Sequence, residues 1–424
     1  MKNTFFFLSA LLFSSSVFAQ SYTSFFTGNT EDSEATPTFG IVLMGGAGEN
    51  DEAMKWFLER ANGGDVVVLR ASGSDGYNDY LYSELGVTVN SVESILFNDA
   101  SAAEDPYVIA QVQNAEAIWL AGGDQWDYVS YWKNTAIEDA INSLLNETGG
   151  VVGGISAGMA VMGGSYFNAA QGTVTSFEAL ANPYDIDVQL GHDDFIAAPF
   201  LEDVVTDTHY DDPDRKGRHV TFMARMTSDV GKVPKGIACD EFAAVCIDAE
   251  GMAHCFGDGP QDNDYIYFIR PNCTGEVEPQ VVETNVPLTW NEDGEALKVL
   301  RINGNVAGEY SLDLNNWINH TGGEWFDWYV QEGELFEVAG EAPDCALSVD
   351  DLTFDGLEVW PIPTTQFLNF QAKNATEVLL FNLQGTIVHS VVAKEGLNQI
   401  DLSDFASGVY MLQKGVETKR VLKL

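Results

Sequence analysis

Gly153-Gly154-Ile155-Ser156-Ala157-Gly158-Met159-Ala160 is the stretch whose reading decides the fold. Val151 and Val152 enter it as a short apolar run, and small, helix-compatible residues leave it. Its centre fits the G-x-S-x-G elbow, a tight strand-to-helix turn that lifts a serine clear of a sheet. Flanking glycines let the backbone approach without a Cβ clash. The helix behind the serine leaves unpaired N–H groups that suit a developing oxyanion. The stretch therefore predicts an α/β fold with Ser156 as a nucleophile at the end of a strand.

The residues upstream alternate in the same sense. Gly40 to Gly46 reads as a buried strand running into a glycine turn, Val66 to Leu69 as a second strand, Val89 to Phe97 as a third and Ala117 to Leu120 as a fourth, ending at Gly122-Gly123. Helical stretches lie between them: Glu52 to Asn62 with Met54, Phe57 and Leu58 on its apolar side, Tyr77 to Leu85, Ala102 to Asn114, and a long one over Trp126 to Asn146. Apolar strands without strict alternation, separated by helices, predict a mostly parallel sheet covered on both faces. Function in such sheets sits at the C-terminal strand ends. The turn Gly45-Gly46-Ala47-Gly48 lacks the full dinucleotide pattern, and Arg70 rather than an acid closes the next strand, so nucleotide binding is disfavoured.

Charge narrows the field. The 424 residues carry 64 acidic and 20 basic side chains, a formal net charge of −44. Such a chain repels nucleic acid, and no basic stripe interrupts the acidity. At the start, Lys2, the apolar run Phe5 to Leu12 and Ser16-Val17-Phe18-Ala19 predict a secretory signal peptide over 1–19; no later stretch reads as a membrane span. Residues 20–38 are polar and read as a linker. The five cysteines do not have the spacing of a metal site, no cofactor is expected, and Cys255 with Cys273 is the disulfide pair the sequence favours.

Ser156 needs a base and an acid to orient it. Six histidines are available, and His209 stands out because it sits within Asp207-Thr208-His209-Tyr210-Asp211-Asp212-Pro213-Asp214-Arg215-Lys216-Gly217-Arg218; His192 and His219 remain alternatives. For the acid, Asp240 and Glu241 both lie in an otherwise apolar strand–turn–strand, Lys235 to Ile247, read as a hairpin, where unpaired carboxylates are costly. The order serine, histidine, acid differs from the α/β-hydrolases, whose acid precedes the histidine.

Four segments taken together carry a resemblance: Gly122-Gly123-Asp124-Gln125, Gly154 to Ala160, Asp207 to Tyr210 with Arg215 and Arg218, and Gly236-Ile237-Ala238-Cys239-Asp240-Glu241. The chain resembles the cyanophycinase and aspartyl dipeptidase (peptidase E) family of serine peptidases over about 39–275. The resemblance implies a flavodoxin-like, class I glutamine amidotransferase-like sheet. It implies Ser156 as nucleophile, His209 as base and Glu241 as its acid. Gly123 and Ala157 would form the oxyanion hole, and Gln125, Asp207, Arg215 and Arg218 would bind substrate, with no metal. The implied activity is hydrolysis of peptides, above all β-aspartyl (isoaspartyl) linkages. Two departures weaken the claim to cyanophycin itself: Thr208 stands where the family carries Gln, and Pro213 where it carries a further Arg. An esterase or amidase with the same triad, or an inactive surface-binding relative, are the competing readings.

Beyond the catalytic region the composition shifts twice. Residues 276–354 read as a β-rich intermediate region whose Trp317, Trp325 and Trp328 are core residues before they are a carbohydrate surface. Residues 355–424 read as a small antiparallel sandwich of short strands punctuated by Gly385, Gly396, Gly408 and Gly415. With Pro361-Ile362-Pro363, Phe381 to Gly385, Gly408-Val409-Tyr410 and a Lys/Arg-bearing end, this segment resembles the C-terminal sorting domain of the Bacteroidetes type IX secretion system. That implies a secreted or cell-surface protein exported through the periplasm. Its partners would be a peptide substrate, the secretion machinery and, in a homodimer, a second copy of the chain.

Overall fold

The computed structural model describes residues 20–259, 261–345, 359–360, 364–372, 375–382, 386–394, 396–403, 405–414 and 417–423. The expected signal peptide, Pro361-Ile362-Pro363, Leu383-Gln384-Gly385 and Gly415 lie outside them. The described chain divides into two units, up to Asp344 and from Cys345 onward.

In the first unit the strands are β1 Tyr22–Gly28, β2 Gly40–Met44, β3 Asp65–Arg70, β4 Ser91–Phe97, β5 Ala117–Leu120, β6 Val151–Ile155, β7 Ser165–Phe167, β8 Leu190–His192 and β9 Val204–Asp207. There follow β10 Lys235–Cys239, β11 Ala244–Ile247, β12 Met252–Phe256, β13 Tyr265–Pro271, β14 Leu297–Asn303, β15 Tyr310–Asp313, β16 His320–Thr321, β17 Glu324–Gln331 and β18 Glu334–Ala339. The helices are α1 Asp51–Arg60, α2 Gly76–Asp79, α3 Pro106–Asn114, α4 Gln125–Trp132, α5 Ala136–Ser143, α6 Ala157–Ala160, α7 Ser176–Ala181 and α8 Lys216–Val230.

These strands make two sheets, in the orders β1-β4-β3-β5-β6-β2-β11-β12-β15-β16 and β18-β17-β14-β13-β10-β9-β7-β8. The first has a parallel centre, β4-β3-β5-β6-β2, flanked by antiparallel strands on both sides. It is therefore a mixed sheet, more antiparallel at its margins than expected. Both faces of its centre are buried, which is why β2 reads as an unbroken apolar run. Ile41 and Leu43 point into a core shared with Ile237, Phe268 and Leu300 of the second sheet. Val42 and Met44 point the other way, onto Met54, Phe57 and Leu58 of α1. The far side of the second sheet packs on Val220, Phe222 and Met223 of α8.

Local chemistry sets the helix ends. Asn50 caps α1 by accepting from Ala53 N–H at 3.1 Å, and Asp51 and Glu52 complement the dipole of its first turn. The helical stretch expected over 126–146 is broken: α4 stops at Trp132, Asn134 takes φ +60°, and Thr135 caps α5 by accepting from Ile137 N–H. A strong N-cap inside an amphipathic run restarts the helix rather than letting it continue.

Three other segments differ in placement from their sequence reading. Within 20–38, Tyr22–Gly28 pairs along the whole of β4 as an edge strand, with Ser24 and Asn98 tying it in. The strands at 235–239 and 244–247 form no hairpin: β10 lies in the second sheet and β11 in the first, so Asp240–Ala243 crosses between sheets. Strands β14, β17 and β18 extend the second sheet and β15 and β16 the first, with Trp317 and Trp328 buried. Cys239, Cys246 and Cys255 are buried free thiols, whereas Cys273 and Cys345 are disulfide-bonded, so Cys255 is not the partner of Cys273.

The second unit holds β19 Val359–Trp360, β20 Phe367–Ala372, β21 Thr376–Asn382, β22 Ile387–Ala393, β23 Gly396–Asp401, β24 Gly408–Lys414 and β25 Glu417–Lys423, in antiparallel sheets ordered β19-β20-β23 and β22-β21-β24-β25. Alternate residues such as Leu368, Phe370, Leu380 and Leu412 form its core.

Candidate active site

Ser156 occupies the turn between β6 and α6 with φ +53° and ψ −113°. A non-glycine residue held there is strained, and such strain gathers at functional sites. The glycines around it serve close packing. A Cβ on Gly158 would come 2.1 Å from the Leu120 carbonyl oxygen, and one on Gly154 would come 2.5 Å from the Gly158 backbone. Ser156 N–H donates to the Met44 carbonyl at 3.0 Å, which ties the elbow to β2.

Histidine and acid arrive from the second sheet. His209 follows β9 and Glu241 follows β10, its parallel neighbour. Ser156 Oγ lies 2.8 Å from His209 Nε2, and His209 Nδ1 lies 2.7 Å from Glu241 Oε1. His209 also takes a left-handed backbone, φ +47°, as does Phe242 at +63°.

The strap that joins the two halves is Gly45-Gly46, which sequence reading treated only as a turn. Gly45 carbonyl accepts from His209 N–H at 3.0 Å, Gly45 N–H donates to Ala243 carbonyl at 2.9 Å, and Gly46 carbonyl accepts from Phe242 N–H at 3.1 Å. A Cβ on Gly46 would sit 2.3 Å from the His209 ring, and one on Gly45 2.0 Å from the Asp240 carbonyl oxygen. The available signal was a Gly-Gly pair at the end of a buried strand.

The alternative histidines are engaged elsewhere. His192 Nδ1 meets Ser165 Oγ at 2.8 Å, and that serine is fully buried. His219 is buried between Tyr210 Oη and the Val205 carbonyl, each 3.1 Å away. The two acids also part company. Asp240 is 3% exposed; its Oδ2 accepts from Tyr265 N–H, while Oδ1 has no partner among the described residues. Burial, with Asp211 nearby, pushes its acid up to about 8.

Gly122-Gly123 turns beside the serine, where a Cβ on Gly122 would be 3.7 Å from Ser156 Cβ. Tyr128 Oη fixes this turn by donating to the Ala121 carbonyl at 2.8 Å. Ala157 opens α6, and Gln125 opens α4 behind the Asp124 cap as a half-buried side chain.

Asp207 and Arg218 are not disposed to meet substrate. Arg218 is 3% exposed and grips Asp207 as a fork, Nε to Oδ2 at 2.8 Å and Nη2 to Oδ1 at 2.5 Å. Its Nη1 is taken by Thr173 Oγ1. Burial alone would raise the Asp207 acid, but the Arg218 guanidinium holds it below the usual carboxylate range. This buried pair braces the strand end that leads to His209. Arg215 is half-buried and donates to the Thr208 carbonyl at 3.0 Å, while its Nε has no partner among the described residues.

No group of three or more His, Cys, Asp or Glu among the described residues is disposed to hold a metal ion, and no described helix is long and apolar enough to cross a membrane.

The model of peptidase family S51 matches residues 41–253, and the model of the secretion system C-terminal sorting domain matches residues 358–423. The chain is similar to the cyanophycinase of Synechococcus elongatus, at 24% identity over 261 residues, 59% of this chain and 74% of that protein. It is similar to the cyanophycinase of Trichormus variabilis at 22% over 266 residues, 60% and 81% of the two chains. Among solved structures, the crystal structure of a peptidase from an acI-B1 Actinobacterium aligns at 16% identity and a TM-score of 0.40, covering 55% of this chain and 91% of that one. The sorting domain marks this protein for secretion to the cell surface or beyond. With a model match that spans half its length, the chain belongs to peptidase family S51.

Proposed function

We propose that this exported hydrolase is a serine peptidase in which Ser156 is the nucleophile, His209 the base and Glu241 the group that orients it. One observation carries the reading: serine, imidazole and carboxylate form an unbroken chain of 2.8 and 2.7 Å contacts at a strained strand-to-helix elbow. With Nδ1–H donated to Glu241, Nε2 is left as the acceptor for the serine proton, and the carboxylate stabilises the imidazolium that forms. The serine oxygen then attacks the carbonyl carbon of the substrate. The N–H groups of Gly123, in the turn next to the serine, and of Ala157, which follows it in sequence, would receive the oxyanion. His209 returns the proton to the leaving amine, and water repeats the cycle on the acyl-enzyme. The parallel strand order β4-β3-β5-β6-β2 supports the flavodoxin-like, amidotransferase-like fold assignment for this domain.

For the substrate we favour β-aspartyl peptides. Such a bond leaves a free α-carboxylate on its acyl side, and a guanidinium receives it well as a bidentate pair. Arg215, with its partnerless Nε, fits that role better than the buried Arg218; Gln125, at the start of α4 just past the Gly122-Gly123 turn, would help to hold the substrate. The test is labelling by a serine-directed fluorophosphonate followed by turnover of β-Asp-Ala beside α-Asp-Ala. Labelling of Ser156 and preference for the β-linked peptide are expected. An unlabelled Ser156 defeats the nucleophile, and equal turnover defeats the specificity alone.

A further inference from the structure

A second feature stands on the rim that carries His209 and Glu241. Strands β10, β13, β14 and β17 are successive neighbours in the second sheet, each antiparallel to the last. The C-terminal end of β10, the start of β13, the end of β14 and the start of β17 therefore lie along one edge. Asp240 N–H donates to the Tyr265 carbonyl, and Tyr265 pairs with Asn303. At ~4.8 Å per strand, Asn303 is about 10 Å from the residue beside Glu241.

At that point the surface opens into a cavity of about 310 Å³ bounded by Tyr265, Arg301, Asn303, Tyr310, Gly323 and Glu324. Arg301 and Asn303 are two residues apart on β14 and share a face. The Arg301 guanidinium is sandwiched between Tyr265 and Phe326, 4.5 and 4.4 Å from the ring centres, which fixes its plane. Asn303 Oδ1 is buried and lacks a hydrogen-bond partner among the described residues. A buried acceptor left unpaired is unfavourable, and native structures keep few of them. The pocket thus presents a fixed donor and two tyrosine rings, with an unfilled acceptor closed just beneath its wall that a turn of the Asn303 amide brings to the lumen.

That combination selects among ligands. A carboxylate would engage Arg301 but leave Asn303 Oδ1 empty and meet Glu324, whose carboxylate is already 3.5 Å from Arg301. An amide satisfies both groups, its C=O on Arg301 and its N–H on Asn303, with a planar face for Tyr265 and Tyr310. We propose that this cavity is an extension subsite that binds one amide unit of a peptide substrate, about five to six residues from the scissile bond. Four strand spacings of ~4.8 Å separate the Ser156 elbow from Tyr310, by way of Met44, Ala244 and Phe256, and an extended peptide covers that span at ~3.4 Å per residue. The proposal rests on the peptidase reading above and narrows its substrate class to oligopeptides. Every residue of the subsite lies beyond the segment 41–253 matched by the family model.

The experiment compares β-Asp-Ala with the same peptide extended by one to seven alanines at either end, using the full chain. Two hydrogen bonds gained predict a rise in kcat/KM of about tenfold once the extension reaches the cavity. Asn303→Ala and Arg301→Lys should each remove that rise while leaving β-Asp-Ala turnover within twofold of wild type. The absence of a length effect in wild type, or an equal loss at all lengths in the variants, would overturn the subsite. If wild type cleaves none of these peptides, calorimetry on Ser156→Ala decides. Tighter binding of the longest peptide than of β-Asp-Ala, abolished by Asn303→Ala, would uphold the subsite although the peptidase reading had failed. Equal binding would overturn it.

Discussion

Asp240→Asn should stabilise the N-terminal unit and do so more strongly as pH rises. Burial and the neighbouring Asp211 carboxylate push the Asp240 acid up to about 8, whereas an unfolded aspartate titrates near ~3.9. Between those values the folded chain keeps a proton that the unfolded chain has released. Stability therefore falls as pH climbs through this window and levels off above about 8. At pH 7 roughly three units separate the solution from the unfolded value, and at ~1.4 kcal/mol per unit the penalty approaches about 4 kcal/mol. With local relaxation, a gain on the order of 2–4 kcal/mol is expected for the asparagine, which stays neutral and can still accept from Tyr265 N–H. At about 2–4 °C per kcal/mol, that raises the melting temperature by roughly 5–15 °C at pH 7 to 8 and by much less at pH 5. Thermal melts of wild type and variant across pH 5 to 8 read the effect directly. Parallel pH profiles, or a variant less stable at pH 8, would refute the reasoning. The same variant has a kinetic arm: with Glu241 as the partner of His209, Asp240→Asn should keep turnover within about tenfold. Glu241→Gln should lose about 10⁴, by comparison with the aspartate-to-asparagine change in a serine protease.

Ser156→Ala and His209→Ala should each remove most turnover of the favoured β-aspartyl peptide, and the double variant should be scarcely slower than either, because nucleophile and base act as one unit. Arg218→Lys should cost about 3 kcal/mol or more of stability, measured by urea unfolding, because lysine cannot fill the buried fork on Asp207 and leaves that carboxylate part-paired. Arg215→Lys should instead raise KM for peptides with a free α-carboxylate and leave stability nearly unchanged. Deletion of residues 358–424 should stop delivery to the cell surface, scored by fractionation, while the purified remainder keeps its turnover, since Ser156, His209 and Glu241 all lie in the other unit.

The sequence made the parallel centre legible because strands buried on both faces need unbroken apolar runs, and Gly40–Met44, Asp65–Arg70 and Ala117–Leu120 have them. Ser156 could be nominated from chemistry alone by its elbow pattern, and His209 preferred because it lies in a dense polar segment; the choice of Glu241 over Asp240 came only with the family resemblance. What could not be read was which sheet each strand would join. Lys235–Cys239 and Ala244–Ile247 look like two arms of a hairpin, and local patterning carries no mark of the crossing between them. The same blindness hid the role of Arg218, which the resemblance had set against substrate. Only the assembled structure places Asp207 opposite it. Gly45-Gly46 was visible as a turn, but its function as a strap depends on three residues far along the chain.

The division of the site between two sheets has a further consequence. Ser156 comes from one sheet, His209 and Glu241 from the other, and the Gly45-Gly46 strap closes only when both are in register. A half-folded chain thus holds a serine with no base and a histidine with nothing to deprotonate. On the mechanism proposed above, completion of the fold is therefore the step that switches the site on in a protein bound for the cell surface or beyond.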